Sequence, residues 1–151
     1  AHLLYHQPFT KMARKAHARL AELVDGDVAA LDEAALDVGA RLGNAYSASL
    51  PGALAGLLES GDRSGAGVGM FSYGSGSVGE WMTGVVRADA GVHDGGVRRA
   101  IDGRVPVDVA AYERLHADHS ASSDDRELPR VTTGPFRMSG VVGGARRYER
   151  V

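Results

Sequence analysis

The chain contains no cysteine. That excludes a disulfide framework, a cysteine nucleophile and a thiolate metal site supplied by this chain. It has no apolar run long enough to span a bilayer and no stretch laid out like a signal peptide, so a cytoplasmic location without membrane contact is expected. An excess of one charge sign is missing as well: 17 basic residues against 19 acidic ones give a formal net charge of -2, which argues against general nucleic-acid affinity. Phosphate-loop chemistry is missing. GAGVG and GSGSVG lack both the Gly-Lys-Ser/Thr ending and a strand-loop-helix setting with a later acid. A serine-hydrolase elbow is missing too, because SYGSGSVG resembles G-x-S-x-G only superficially and leads into no helix. The carboxylates form no paired acid/base pattern.

What is present suits one globular α/β domain over residues 1–151, with 44% hydrophobic and 24% charged residues and an unusually high 21 glycines. Leu3 to Tyr5 reads as the end of a buried strand, and a domain seldom begins inside such an element. An upstream part is therefore expected, either removed or present as another chain. Pro8 suits a first helical position. Met12, Ala13, Ala16, Leu20 and Leu23 recur at helical spacing, predicting a helix from Phe9 to Leu23. Asp27 is expected to cap a second helix through about Leu36. A third helix is expected from Ala45 to Glu59, rich in small residues that let it approach its neighbours, with Pro51 disturbing its first turns. Val68 to Tyr73 and Ser77 to Arg87 read as two strands around a Gly74-Ser75-Gly76 turn, with Val78, Trp81, Val85 and Val86 as core candidates. Gly91 to Arg104 carries at most a short helix. Asp108 caps a helix through about His116, with Val109, Tyr112 and Leu115 on one face. Ser120 to Pro129 reads as a solvated loop. Gly143-Gly144 joins Gly134 to Val141 and Arg146 to Val151 as a hairpin.

The segment YHQPFTKMARKAH carries the chemistry. His6 can donate to a carbonyl oxygen and accept another hydrogen bond; a histidine with a structural hydrogen bond is the commoner case, and the Pro-Phe context and the lysine pair favour the first use. Lys11 and Lys15 fall one turn apart on one helical face and suit an anionic carrier, although a solvated face is the commoner use of such a run. Asn44 stands before a helix, where its amide serves either a substrate oxygen or the cap. Ser75, in the glycine turn after a strand, offers a hydroxyl and nearby N–H groups to an oxyanion, or simply makes a β-turn. His116 and His119 are spaced to share a metal with Asp118 or Asp124, but no third ligand is marked, and no metal site is expected.

Taken together, YHQPFTKMARKAH, RLGNAYSASL, GALAGLLE, VGMFSYGSGSVGEW, VDVAAYERLH and TTGPFRMSGVVGGARRYE resemble, in order, the C-terminal part of 3-hydroxy-3-methylglutaryl-CoA (HMG-CoA) synthase. The bacterial mevalonate-pathway branch looks closer than the polyketide β-branching branch, which tends to carry glycines where Thr10 and Lys11 stand. The resemblance implies a thiolase-like layered αβαβα fold, with this chain covering most of its C-terminal half. It implies an acyltransferase that condenses acetyl-CoA with acetoacetyl-CoA through a cysteine and a glutamate of the N-terminal half. By motif match, His6 anchors and polarises acetoacetyl-CoA, Lys11 and Lys15 lie near the CoA phosphates and pantetheine, and Asn44 and Ser75 contact the acyl group. No cofactor is implied beyond the two CoA thioesters as substrates. The expected partners are an N-terminal synthase half carrying the nucleophilic cysteine and further copies in a dimer or hetero-oligomer. A non-catalytic structural subunit of a split synthase, or part of a polyketide enzyme acting on carrier-protein substrates, are the alternatives.

Overall fold

The structure is a computed structural model that describes residues 1–88, 90, 95–117, 124–130 and 134–151, with only the backbone of Ser75. Two compact units divide the chain, Ala1–Arg104 and Val105–Val151.

The first unit is built on a four-stranded sheet in the order β2 (Ala30–Leu31), β1 (His2–Tyr5), β3 (Gly67–Gly74), β4 (Val78–Val85). Its centre is β1 (His2–Tyr5), whose Leu3, Leu4 and Tyr5 are all buried. A strand covered on both faces reads as a continuous apolar run rather than an alternating one. Leu4 joins Ala35, Leu50, Ala53, Leu57 and Val68 in one cluster, while Leu3 and Tyr5 join Ala13 and Leu36 in another. β1 runs parallel to β2 (Ala30–Leu31) and to β3 (Gly67–Gly74), with Tyr5 opposite Phe71. β4 (Val78–Val85) returns antiparallel to β3 and forms the edge.

Between β1 and β2 lies α1 (Thr10–Leu23). Pro8 is not its first residue, because the extended Phe9 is the N-cap. Its inward face is Ala13, His17 and Leu20, whereas Met12, Ala16 and Leu23 are exposed. His17 faces inward because its Nδ1 lies 3.1 Å from the Tyr5 hydroxyl. The second helix, α2 (Glu33–Leu42), is capped by Asp32 and not by Asp27. Asp32 Oδ1 accepts from the N–H groups of Ala34 and Ala35, because residues 30 and 31 are first drawn into the sheet. The expected third helix is divided into a 3-10 turn, Tyr46–Ala48, and α3 (Ser49–Glu59). Pro51 is the third residue of α3, where a helix needs no N–H, so it leaves the helix intact.

Trp81, Val78 and Val85 are exposed, not core, because the helices of the unit leave their parts of the sheet faces uncovered; Val86 is half-buried against the core. The Trp81 ring lies across Gly69, where a Cβ would fall 2.6 Å from it. α4 (Gly96–Asp102) is capped by the buried Glu59, whose carboxylate oxygens accept from the Val97 and Arg98 N–H groups at 2.7 and 3.2 Å.

In the second unit, Asp108 caps α5 (Val109–Ala117) by accepting from the Ala111 N–H at 2.6 Å. Val109, Tyr112 and Leu115 are exposed. The Ser120 to Pro129 segment is not all loop: β5 (Arg126–Glu127) pairs with β6 (Phe136–Val142), while residues 120–123 lie outside the described ones. β6 and β7 (Ala145–Arg150) form the expected hairpin, with Gly143 and Gly144 at φ 58° and 74°.

Candidate functional site

β1 ends at Tyr5, and His6 continues its ladder by one bond, its N–H donating to the Phe71 carbonyl of β3 at 2.8 Å. The chain must then leave the sheet to enter α1, and three contacts fix how it does so. The Gln7 N–H donates to Ser49 Oγ at 3.2 Å. Ser49 Oγ also lies 3.3 Å from His6 Nδ1. The Gln7 amide group donates to the Ala35 carbonyl of α2 at 3.4 Å and rests against Gly39, where no Cβ fits. Gln7 and Ser49 are buried and His6 is half-buried, so the imidazole sits on a rigid base with part of its ring accessible.

This knot lies at the carboxyl ends of β1 and β3, where open parallel sheets bind ligands. Ser49 opens α3 and places that helix's N-terminus at the knot, while α1 begins immediately after it. α1 has no side-chain cap, so the N–H groups that open it favour an anion nearby, whereas α3 continues from the 3-10 turn with the Ser49 N–H on the Tyr46 carbonyl.

Lys11 and Lys15 occupy the first turns of α1 and are exposed. They are also the only lysines in the chain, a distinction the sequence carries and the spacing argument overlooked. Their arginine neighbours are engaged: Arg14 grips Glu33 with two bonds of 2.6 and 2.5 Å, and Arg19 bonds Glu22 at 2.7 Å. Among the described residues no acid pairs with either lysine, so the two ammonium groups remain for a ligand.

Asn44 precedes the 3-10 turn, and its Oδ1 accepts from the Tyr46 N–H at 3.2 Å. Ala45, not Asn44, is the N-cap of that turn, and the contact uses the Asn44 amide oxygen and leaves its NH₂ group unspent. Tyr46 is held at φ 47°, and Ser77, in the turn after β3, at φ 59°. Each loop therefore stores backbone strain of about 1–3 kcal/mol. Ser75 opens the 3-10 turn Ser75–Ser77, four positions beyond Phe71, and its side chain lies outside what is described. No hydrogen bond joins His6 directly to Asn44, Lys11 or Lys15 among the described residues. Ser49 and Gln7 were not evident from the sequence, since a serine inside a small-residue helix looks like packing. No group of three metal-ligating side chains exists among the described residues, and His119 and Asp118 lie outside them. Among the described residues no helix is long and apolar enough to cross a membrane.

Comparison with known proteins places this architecture. A solved structure of an HMG-CoA synthase complexed with CoA matches 100% of this chain and 42% of its own, with TM-score 0.81 and 28% identity. The HMG synthase of the curacin biosynthetic pathway, solved in complex with apo donor-ACP, matches 99% of this chain and 43% of its own, with TM-score 0.84 and 25% identity. The chain thus has the mixed α/β, thiolase-like fold of these synthases.

Residues 28–110, more than half of the chain, match the family described as hydroxymethylglutaryl-coenzyme A synthase C terminal. The chain belongs to that family. A hydroxymethylglutaryl-CoA synthase of Enterococcus faecalis is 33% identical over 134 residues, 83% of this chain but 35% of that protein. The chain therefore spans well under half the length of these relatives.

Proposed function

We propose that this chain forms the acetoacetyl-CoA-binding wall of an HMG-CoA synthase-type acyltransferase, completed by an N-terminal half that carries a cysteine and a glutamate. The observation that carries this reading is the knot of His6, Gln7 and Ser49 at the strand ends, beside two unpaired lysines on α1. In the reaction the family resemblance implies, the partner's cysteine holds an acetyl group and a glutamate removes a methyl proton. The resulting carbanion attacks the ketone carbon of acetoacetyl-CoA. The ketone π-electrons move onto oxygen, which takes up the proton the glutamate removed, and a water later adds to the enzyme thioester and releases the cysteine thiol. His6 donates a hydrogen bond to that oxygen as charge develops on it. Lys11 and Lys15 pair with the phosphates of CoA as compact charges. The Asn44 amide and the Ser75 turn contact the acyl group. With no cysteine, this chain supplies binding and polarisation, while the nucleophile comes from its partner. The assembly is a dimer or hetero-oligomer acting in the cytoplasm, and the mevalonate pathway is its setting.

Mixing the chain with a family N-terminal half tests this. Condensation requires both pieces, and Lys11→Glu with Lys15→Glu raises the KM for acetoacetyl-CoA. Condensation by the chain alone, in a preparation free of cysteine-bearing contaminants, overturns the proposal. A second reading rests on the likeness to the curacin-pathway synthase. In it the acetyl donor arrives on a carrier protein. Offering acetyl-CoA and an acetylated carrier protein to the same complex separates the two.

A further inference from the structure

We infer that Ser49 is a positioning residue for His6, holding the imidazole in the tautomer that carries its proton on Nε2. This rests on the role proposed for His6. The argument is a count of protons. Ser49 Oγ is buried and has one proton to give. The Gln7 N–H already donates to that oxygen at 3.2 Å. Gln7 cannot turn away, because its side chain is buried and anchored on the Ala35 carbonyl. The His6 main chain is fixed as well, its N–H on the Phe71 carbonyl, and the imidazole reaches Ser49 from that fixed point.

If His6 Nδ1 carried the proton, two donors would converge on Ser49 Oγ. The hydroxyl proton would then lack an acceptor among the described contacts, which is costly in a buried setting. With Nδ1 bare, the hydroxyl donates to it across 3.3 Å, and both the Ser49 hydroxyl proton and the His6 Nδ1 lone pair have a partner. The neutral ring then has Nε2–H as its donor. A ketone oxygen gaining negative charge needs a donor there, and a bare Nε2 would repel it. The order Gln7 N–H to Ser49 Oγ–H to His6 Nδ1 thus passes the rigidity of β1, α2 and α3 to the one ring atom that meets the substrate.

The test reads the ring directly. The chain is prepared with ¹⁵N-labelled histidine side chains, and the His6 signals are assigned with His6→Gln. Where the ring is neutral, His6 should show a protonated Nε2 and a bare, hydrogen-bonded Nδ1. Ser49→Ala should remove the hydrogen-bond shift at Nδ1, and Ser49→Thr, which keeps the hydroxyl, should restore it. Circular dichroism confirms that each variant is folded. The wild-type spectrum alone is decisive if a variant fails to fold: a proton on Nδ1 overturns the inference. So does a folded Ser49→Ala whose ring signals equal those of the wild type. In the reconstituted enzyme Ser49→Ala should lower turnover about three- to tenfold, with a smaller change in KM. If His6→Gln leaves turnover intact, the proposed function fails, while the tautomer is still decided by the spectrum.

Discussion

Two glycines one turn apart in α3 should respond to the same substitution with opposite signs. Alanine is favoured over glycine in a helix interior by about 0.8–1.0 kcal/mol, so propensity alone stabilises both Gly52→Ala and Gly56→Ala. Packing separates them. A Cβ at Gly52 would meet only Val38 Cγ1 at 3.5 Å, an ordinary contact. A Cβ at Gly56 would fall 2.6 Å from the Ala34 carbonyl oxygen and 2.9 Å from Val38 Cγ2. The first of these is backbone of α2 and cannot rotate aside, so α2 and α3 must part. Overpacking of this kind costs about 1–3 kcal/mol, which outweighs the propensity gain. Gly52→Ala should therefore raise stability by about 0.5–1 kcal/mol, and Gly56→Ala should lower it by about 1 kcal/mol. Urea unfolding of the purified chain, followed by circular dichroism, measures both. A Gly56→Ala chain as stable as Gly52→Ala would refute the close α2–α3 crossing on which the placement of Ser49 depends.

Further outcomes follow from single contacts. Glu59→Ala strips two N–H groups of α4 of their buried acceptor. It should cost about 2 kcal/mol and speed hydrogen exchange selectively in Gly96–Asp102. His2 contributes a pH dependence near neutrality. Burial pushes its pKa below the ordinary 6.5, Asp32 opposes this, and Arg63 reinforces it. The unfolded chain then binds a proton that the folded chain resists, so stability contributed by neutral His2 is full above pH 6.5 and falls as pH drops below it. His2→Asn should flatten the unfolding midpoint between about pH 7 and 5.5; an unchanged slope there would show that His2 is not the group responsible. Arg14 holds the Glu33 carboxyl low, and the Ser64 hydroxyl and N–H do the same for Asp62. Those contributions are present near neutrality and lost only as pH falls through the carboxylate range, which keeps them apart from the His2 window.

The sequence exposed the elements whose pattern is local. β3 with β4, and β6 with β7, alternate around glycines that must adopt positive φ, so both hairpins could be read directly. The helices were legible where apolar spacing was strong. β2 was not, because two residues carry no periodicity, and missing it moved the cap from Asp32 to Asp27. Trp81 and Val85 were misplaced because alternation marks a strand without telling which faces are covered; that depends on the helices packed on the sheet. The site was half legible. His6 and the lysines stand out by type and context. Ser49 lies 43 positions from His6, and only the docking of α3 on the end of β1 brings them together. The engagement of Arg14 with Glu33, which leaves Lys11 and Lys15 as the unpaired cations of α1 among the described residues, likewise belongs to tertiary structure.

The central claim is that His6 acts on the acyl substrate and does not merely support a partner. Its most direct test is the condensation rate of the reconstituted enzyme with His6→Ala, alongside sedimentation to confirm that the two pieces still assemble. A polarising donor of this kind is worth about 10²–10³ in rate, so turnover should fall by at least about a hundredfold in an intact complex. Turnover equal to that of the wild type in an assembled complex would contradict the account and leave the chain a scaffold.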